Sequence, residues 1–246
     1  MTWVKICGMT NLEDALVAVD AGADAVGFVF YEKSPRCVSV ETAREIVAKL
    51  PERVEKVGVF VGGADAGWLD VFQRTGLTAV QHYLRTEPGV HPLRQSATAM
   101  SLIPHPPRVF VALPSSRFLG DEGEVKALAE DLELLRKEAR RRSPPFSGVV
   151  FDTFVLDSGT LGLPGGTGKT FDWNKAAPIA EEWRQSGLKL VAAGGLTPDN
   201  VGAAIGILKP WGVDVASGVE ARPGKKDPKK VRAFVRAVRE IDLKAS

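Results

Sequence analysis

Cysteine is scarce in this chain: Cys7 and Cys37 are the only two among 246 residues. Two thiols cannot build a disulfide framework, and a chain of this length buries a core without one. The composition suits a reducing, cytoplasmic compartment. A surplus of one charge is also missing. The formal net charge is +2, too small to point to a nucleic-acid or membrane partner. No apolar run approaches the roughly 18 residues of a membrane span. The opening Met1-Thr2-Trp3-Val4-Lys5 leads into a short apolar stretch broken by Gly8 and Thr10, which does not make a secretion signal. Tandem repeats and low-complexity linkers are lacking, so 1–246 reads as one domain. His, Cys, Asp and Glu do not recur at metal-ligand spacing, and no metal is expected.

What is present is alternation. Hydrophobic residues make up 44% and charged residues 25%, a globular balance, and short apolar runs are followed by amphipathic stretches. Eight runs read as strands: 4–7, 25–30, 56–61, 79–83, 108–113, 148–151, 189–193 and 213–216. Most are apolar throughout, as parallel strands covered on both faces are. Thr10 with Glu13 predicts a capping box before a helix closed by Gly22. Thr197-Pro198 and Asp227-Pro228 each predict an N-cap followed by a first-turn proline. Val125, Leu128, Leu132 and Leu135 fall on one face of a helix over 121–142. Its basic end, 136–142, reads as a solvated face that suits the helix dipole. The proline-rich stretch 85–107 is irregular, with a short helix near 93–100. Eight strands in a chain of about 250 residues predict an α/β fold, the (β/α)8 TIM barrel. An open doubly wound sheet alternates too. The even strand count and the glycine-rich segments at strands seven and eight, where barrels bind phosphate, favour the barrel.

In a barrel the strand C-termini form the active rim. The residues read there are Cys7-Gly8, Lys33-Ser34-Pro35-Arg36, Gln81-His82, Asp152-Thr153, Gly194-Gly195, Asp214 and Ser217-Gly218. Gly194-Gly195 and Ser217-Gly218 suit either tight turns or an anion cradle made of backbone N–H groups. Gly165-Gly166-Thr167-Gly168-Lys169-Thr170 fails the spacing of a nucleotide-binding P-loop, since position 163 is Leu. A flexible loop whose amides help close over a phosphate is the better reading. Cys7 is either a small buried hydrophobe or a base whose thiolate is favoured before a helix N-terminus. Asp152 is either a turn residue or a general acid. His82 reads as a surface or hydrogen-bonded side chain, and Cys37 has no assigned role.

Val4-Lys5-Ile6-Cys7-Gly8-Met9-Thr10 resembles the opening motif of the phosphoribosylanthranilate isomerases. Gly22-Ala23-Asp24-Ala25-Val26-Gly27-Phe28-Val29-Phe30, Lys33-Ser34-Pro35-Arg36, Phe151-Asp152-Thr153 and the segments 165–173, 193–201 and 213–226 match as well, in order over nearly the whole chain. The resemblance implies an Amadori rearrangement of a phosphorylated sugar derivative without a cofactor, in a monomer or homodimer. It implies Asp152 as general acid and Cys7 as general base. Arg36 and Asp214 would meet the anthranilate part. Gly166, Thr167, Gly168, Gly194, Gly195, Ser217 and Gly218 would hold the phosphate. Three departures stand out. The family pattern Gln-Leu-His-Gly is replaced by Gln81-His82-Tyr83-Leu84, and both the loop from Asp152 to Gly165 and the stretch from Arg85 to Pro107 are unusually long. Two other readings compete. One is the related barrel isomerase of histidine biosynthesis, whose first-strand base is expected to be a carboxylate. The other is a noncatalytic barrel that binds a sugar phosphate.

Overall fold

The structure, a computed structural model, describes residues 1–61, 67–83, 107–119, 153–158 and 170–245. The strands are β1 (Trp3–Cys7), β2 (Ala25–Val29), β3 (Glu55–Val61), β4 (Ala79–Tyr83), β5 (Arg108–Pro114), β6 (Thr153–Asp157), β7 (Lys189–Ala192) and β8 (Gly212–Val215). They form a closed parallel barrel in chain order, with β1 paired to both β2 and β8. The (β/α)8 TIM-barrel expectation holds. Helices α1 (Leu12–Asp20), α2 (Val40–Val47), α3 (Gly67–Thr75), α4 (Trp173–Gln185), α5 (Val201–Leu208) and α6 (Pro228–Ala245) contribute apolar side chains to the layer around the barrel. Among the described residues no helix is long and apolar enough to cross a membrane.

Period-two alternation along each strand separates two cores. Val4 and Ile6 of β1, Val26 and Phe28 of β2, and Phe154 and Leu156 of β6 face outward and pack with helix residues such as Ile46, Trp183 and Phe234. Ala25, Val57, Ala79, Phe110, Val155 and Val191 face inward and fill the barrel. At about 1.5–3 kcal/mol for each fully buried large side chain, these two cores supply the main driving force for closure. The N-terminal mouth is plugged by rings. Trp3 stacks on Phe110 at 5.3 Å and on Trp211 at 5.1 Å, with the Arg108 guanidinium 4.5 Å above Trp211. The opposite mouth is left for chemistry.

Several helix starts differ from the sequence reading. Asn11, rather than Thr10, caps α1 by accepting from the Asp14 N–H. Thr10 instead donates its hydroxyl to the Gly224 carbonyl at 2.6 Å. α5 begins at Val201, past Thr197-Pro198, because Asn200 winds the preceding turn. It accepts from the Thr197 N–H at 2.8 Å and donates to the Gly195 carbonyl at 3.0 Å. The Asp227-Pro228 device is present, with Asp227 accepting from the N–H groups of Lys229 and Lys230. α6 also clasps the start of the chain. Asp242 accepts from the N–H and hydroxyl of Thr2, and Arg239 pairs with Asp24 at 2.8 Å. The expected helices at 93–100 and 121–142 lie outside the described residues.

Candidate active site

The sixth strand requires a correction. The expected run 148–151 lies outside the described residues, and β6 is Thr153–Asp157. Asp152, which was expected to end that strand, also lies outside them, and the described strand runs on to Asp157. The carboxyl at the rim end of β6 is Asp157. Alternation fixes its direction: it shares the inner face with Val155, while Phe154 and Leu156 pack outward. Asp157 lines the rim pocket together with Cys7, Arg36, Tyr83, Asp214, Gly194, Gly195 and Ser217. The Tyr83 hydroxyl donates to its Oδ2 at 2.5 Å.

Cys7 ends β1 on the same inner face as Lys5. Glycine on the neighbouring strand makes room for it, since a Cβ at Gly27 would stand 2.6 Å from the Cys7 sulfur and 3.0 Å from Cε of Lys5. Beneath the thiol, Lys5 is fully buried and donates from Nζ to Asp214 Oδ2 at 2.6 Å and to Gln81 Oε1 at 2.9 Å. Burial disfavours the Lys5 ammonium, but the Asp214 carboxylate, joined by Cys7 when that thiol is ionised, outweighs it and lifts its pKa above the ordinary value. Lys5 is therefore a fixed positive charge. Burial pushes the Cys7 thiol up, against the pull of Lys5 in the other direction. The expectation of a favoured thiolate is thus corrected. In the ligand-free site Cys7 is held as a thiol at neutral pH, because desolvation of a thiolate among Val29, Val59 and Ala216 outweighs the nearby cation.

A second set of buried charges stands beside the first. Arg36 donates from Nε and Nη2 to the two oxygens of Glu220, each at 2.8 Å, a bidentate pair. Lys226 donates to the same carboxylate at 3.0 Å and to the Ala216 carbonyl at 3.1 Å. Burial would raise the Glu220 pKa, but Arg36 and Lys226 outweigh it and hold the carboxyl below its ordinary value. Arg36, Lys226 and Glu220 carry one net positive charge, and Lys5 with Asp214 carry none. An anion entering the pocket meets a site short of negative charge. Asp214 contributes Oδ1, a buried oxygen with no hydrogen bond from the described residues.

The glycine turns take the shapes the sequence implies. Gly194 and Gly195 have φ of +79° and +63°, conformations that suit only glycine at low cost. Ser217 and Gly218 lie in a short 3-10 turn after β8. A Cβ on Gly218 would overlap the backbone carbonyl of Leu196, so the turns after β7 and β8 touch because residue 218 has no side chain. Gly218→Ala is expected to force the turns apart. It should lower the melting temperature by several degrees, as overpacking does, and weaken competition by inorganic phosphate. Thermal unfolding with and without phosphate checks this; unchanged melting and competition would show that the close approach is dispensable. Gly166, Thr167 and Gly168 lie outside the described residues.

The residues brought together are therefore Cys7, Arg36, Asp214, Gly194, Gly195, Ser217 and Gly218, with Asp157 at the carboxyl position. Sequence reasoning missed Asp157, Tyr83, Lys5, Glu220 and Lys226. His82 is 2% exposed and faces away from the pocket, its ring 5.3 Å from Trp68 and 5.8 Å from Phe60. Cys37 is exposed. Among the described residues no three His, Cys, Asp or Glu side chains gather so as to hold a metal ion.

Comparison with known proteins agrees with this geometry. A sequence model of the N-(5′-phosphoribosyl)anthranilate (PRA) isomerase family matches residues 4–86 and 124–237. The N-(5′-phosphoribosyl)anthranilate isomerase of Chlorobaculum parvum is 40% identical over 242 residues, covering 98% of this chain and 97% of its own. The crystal structure of phosphoribosyl anthranilate isomerase from Thermotoga maritima superposes with a TM-score of 0.71 at 39% identity, covering 98% of this chain and 100% of that one. A structure of such an isomerase in complex with reduced 1-(o-carboxyphenylamino)-1-deoxyribulose 5-phosphate gives 0.69 at 36% identity, with the same coverage. With a matching barrel and alignment over nearly its whole length, the chain belongs to the phosphoribosylanthranilate isomerase family.

Proposed function

We propose that Cys7 and Asp157 together isomerise N-(5-phosphoribosyl)anthranilate to 1-(2-carboxyphenylamino)-1-deoxyribulose 5-phosphate, a step of tryptophan biosynthesis, in the cytoplasm. The observation that carries this reading is the placement of a thiol and a carboxyl at the rim ends of β1 and β6, lining one pocket with Arg36 and the two glycine turns. Asp157 replaces Asp152 as the acid. It protonates the furanose ring oxygen, the C1′–O bond breaks, and the anthranilate nitrogen lone pair closes the iminium. That cation acidifies the C2′ proton; Cys7 first gives its own proton to solvent, and the thiolate so formed then removes the C2′ proton. The resulting enolamine tautomerises to the ketone, so the sum is an isomerisation and needs no external oxidant or reductant.

Charge placement supports the same roles. Glu220 takes the Nε and Nη2 edge of Arg36, which leaves the Nη1 edge for the carboxylate of the anthranilate ring. Oδ1 of Asp214 suits the N–H that links ring and sugar. Backbone N–H groups around Gly194, Gly195, Ser217 and Gly218 suit the phosphate, with Gly166, Thr167 and Gly168 assigned to the same cradle. Lys5 stabilises the thiolate from below as it forms. Fluorescence-monitored turnover of N-(5-phosphoribosyl)anthranilate by the purified protein tests the proposal. Turnover inhibited competitively by phosphate is expected; a folded protein that leaves this substrate unchanged would overturn it.

A further inference from the structure

A family motif that this chain does not keep lies at the rim of β4, and the structure gives the replacement a position. The pattern Gln-Leu-His-Gly becomes Gln81-His82-Tyr83-Leu84. Strand pairing sets Val61 opposite Tyr83 and Tyr83 opposite Ala112, so Tyr83 shares the inner face with Gln81. His82 packs outward against Phe60 and Trp68. Residue 83, not residue 82, therefore holds the rim position that histidine has in the family pattern. Its phenol reaches the pocket and donates to Asp157 Oδ2 at 2.5 Å.

We infer that Tyr83 is a positioning residue for the acid, fixing the Asp157 carboxyl and stabilising the carboxylate left once its proton has gone to the ring oxygen. The inference rests on the acid role proposed for Asp157. An aspartic acid that accepts a phenol bond on Oδ2 carries its own proton on Oδ1, so a single oxygen is presented as the donor. When that proton leaves, the phenol remains as a hydrogen-bond donor to the new anion. A bond to the ionised form lowers the cost of ionisation, which makes Asp157 a stronger acid. The donor is itself secure, because burial first, and then the charge of Asp157, raise the Tyr83 pKa well above its ordinary value. The phenol stays protonated across any working pH. Among the described residues, the other titratable or charged groups around this pair are Cys7 and Lys5 on β1, Asp214 on β8, and Tyr31, Lys33 and Arg36 after β2. None of these changes in the variants below, so they form a constant background.

The test is the pH dependence of turnover in Tyr83→Phe and Tyr83→His, beside wild type and Asp157→Asn. Tyr83→Phe is expected to lower kcat about 10-fold with KM changed less than about 2-fold. It should also shift to higher pH, by about one unit, the limb of the profile that disappears in Asp157→Asn. Tyr83→His restores an N–H donor at the same rim position and should bring kcat back to within about 3-fold of wild type. If Asp157→Asn is slow but Tyr83→Phe keeps both kcat and the limb, the positioning role is overturned while the acid assignment stands. Loss of kcat in Tyr83→Phe with an unmoved limb would also overturn it, as would Tyr83→His performing no better than Tyr83→Phe. If Asp157→Asn turns over like wild type, the acid assignment itself fails, and this inference with it. Should Tyr83→Phe not fold, as judged by circular dichroism, Tyr83→Gln and Tyr83→Met repeat the contrast between a donor and none. Equal rates and limbs in that pair would overturn the inference, and a Gln rate near wild type with a slow Met variant would support it.

Discussion

Cys7→Ser is expected to lower kcat by about 10²–10⁴-fold, the range for a lost general base, while binding of a reduced product analogue stays within a few fold. A hydroxyl has the shape of the thiol but almost none of its acidity, so the substitution removes the base without emptying the site. The buried surroundings add a second signature. Alkylation by iodoacetamide needs the thiolate, and burial lifts the Cys7 pKa above its ordinary value. The rate of inactivation should therefore keep rising as pH passes the usual thiol value of about 8.5, instead of levelling there. A product analogue in the pocket should slow it. Cys37, exposed and outside the pocket, supplies the control: Cys37→Ser should remain active and remain sensitive. Full activity in Cys7→Ser, measured by the fluorescence assay on folded protein, would remove Cys7 from the mechanism. An inactivation rate that is already flat below about pH 8 would instead show a thiolate preformed against the cost of burial.

Asp157→Asn is expected to cost about 10²–10⁴-fold in kcat. The amide keeps the shape and can accept from Tyr83, but it has no acidic proton for the ring oxygen. Asp152→Asn is the discriminating partner, because the two residues compete for one role. Residue 157 lies on the pocket wall at the rim end of β6, whereas residue 152 lies outside the described residues. If Asp157 is the acid, Asp152→Asn should keep kcat within about 3-fold, because it leaves the proton donor in place. Turnover assays on both variants, with melting curves to confirm folding, decide between them. A slow Asp152→Asn beside a fast Asp157→Asn would reverse the assignment.

The barrel was legible because its signal is repeated. Runs such as 25–30 and 56–61 are apolar throughout and bounded by turns, as buried parallel strands require. Cys7, Arg36 and Asp214 were legible because each sits at or near the end of such a run. The sixth strand was not, because two apolar runs, Gly148-Val149-Val150-Phe151 and Phe154-Val155-Leu156, stand in tandem and each is followed by aspartate. Composition cannot choose between them. A clue existed in the loop before Gly165, which looked overlong when counted from Asp152 and is five residues shorter from Asp157. Lys5, Glu220 and Lys226 were hidden for a different reason. Each looks like a surface charge in the sequence, and only the closure of β1 on β8 sets Lys5 against Asp214, while the folding back of the segment after β8 sets Lys226 against Glu220. At β4 the sequence reads His82 as a surface or hydrogen-bonded side chain and gives Tyr83 no role, whereas strand parity places Tyr83 in the pocket.

The clasp between Thr2 and Asp242 has a meaning for the chain during its synthesis. The ring closes where β1 meets β8, and the groups that lock the seam lie 240 positions apart in sequence. A ribosome delivers β1 well before β8 and α6. Until β8 and α6 have emerged, β1 has a neighbour on one side only, and its other side presents unpaired N–H and C=O groups with apolar residues on both faces. Such an edge invites pairing with another nascent chain. The ring therefore stays open at β1 until β8 has been made, and only then can it seal into a cylinder.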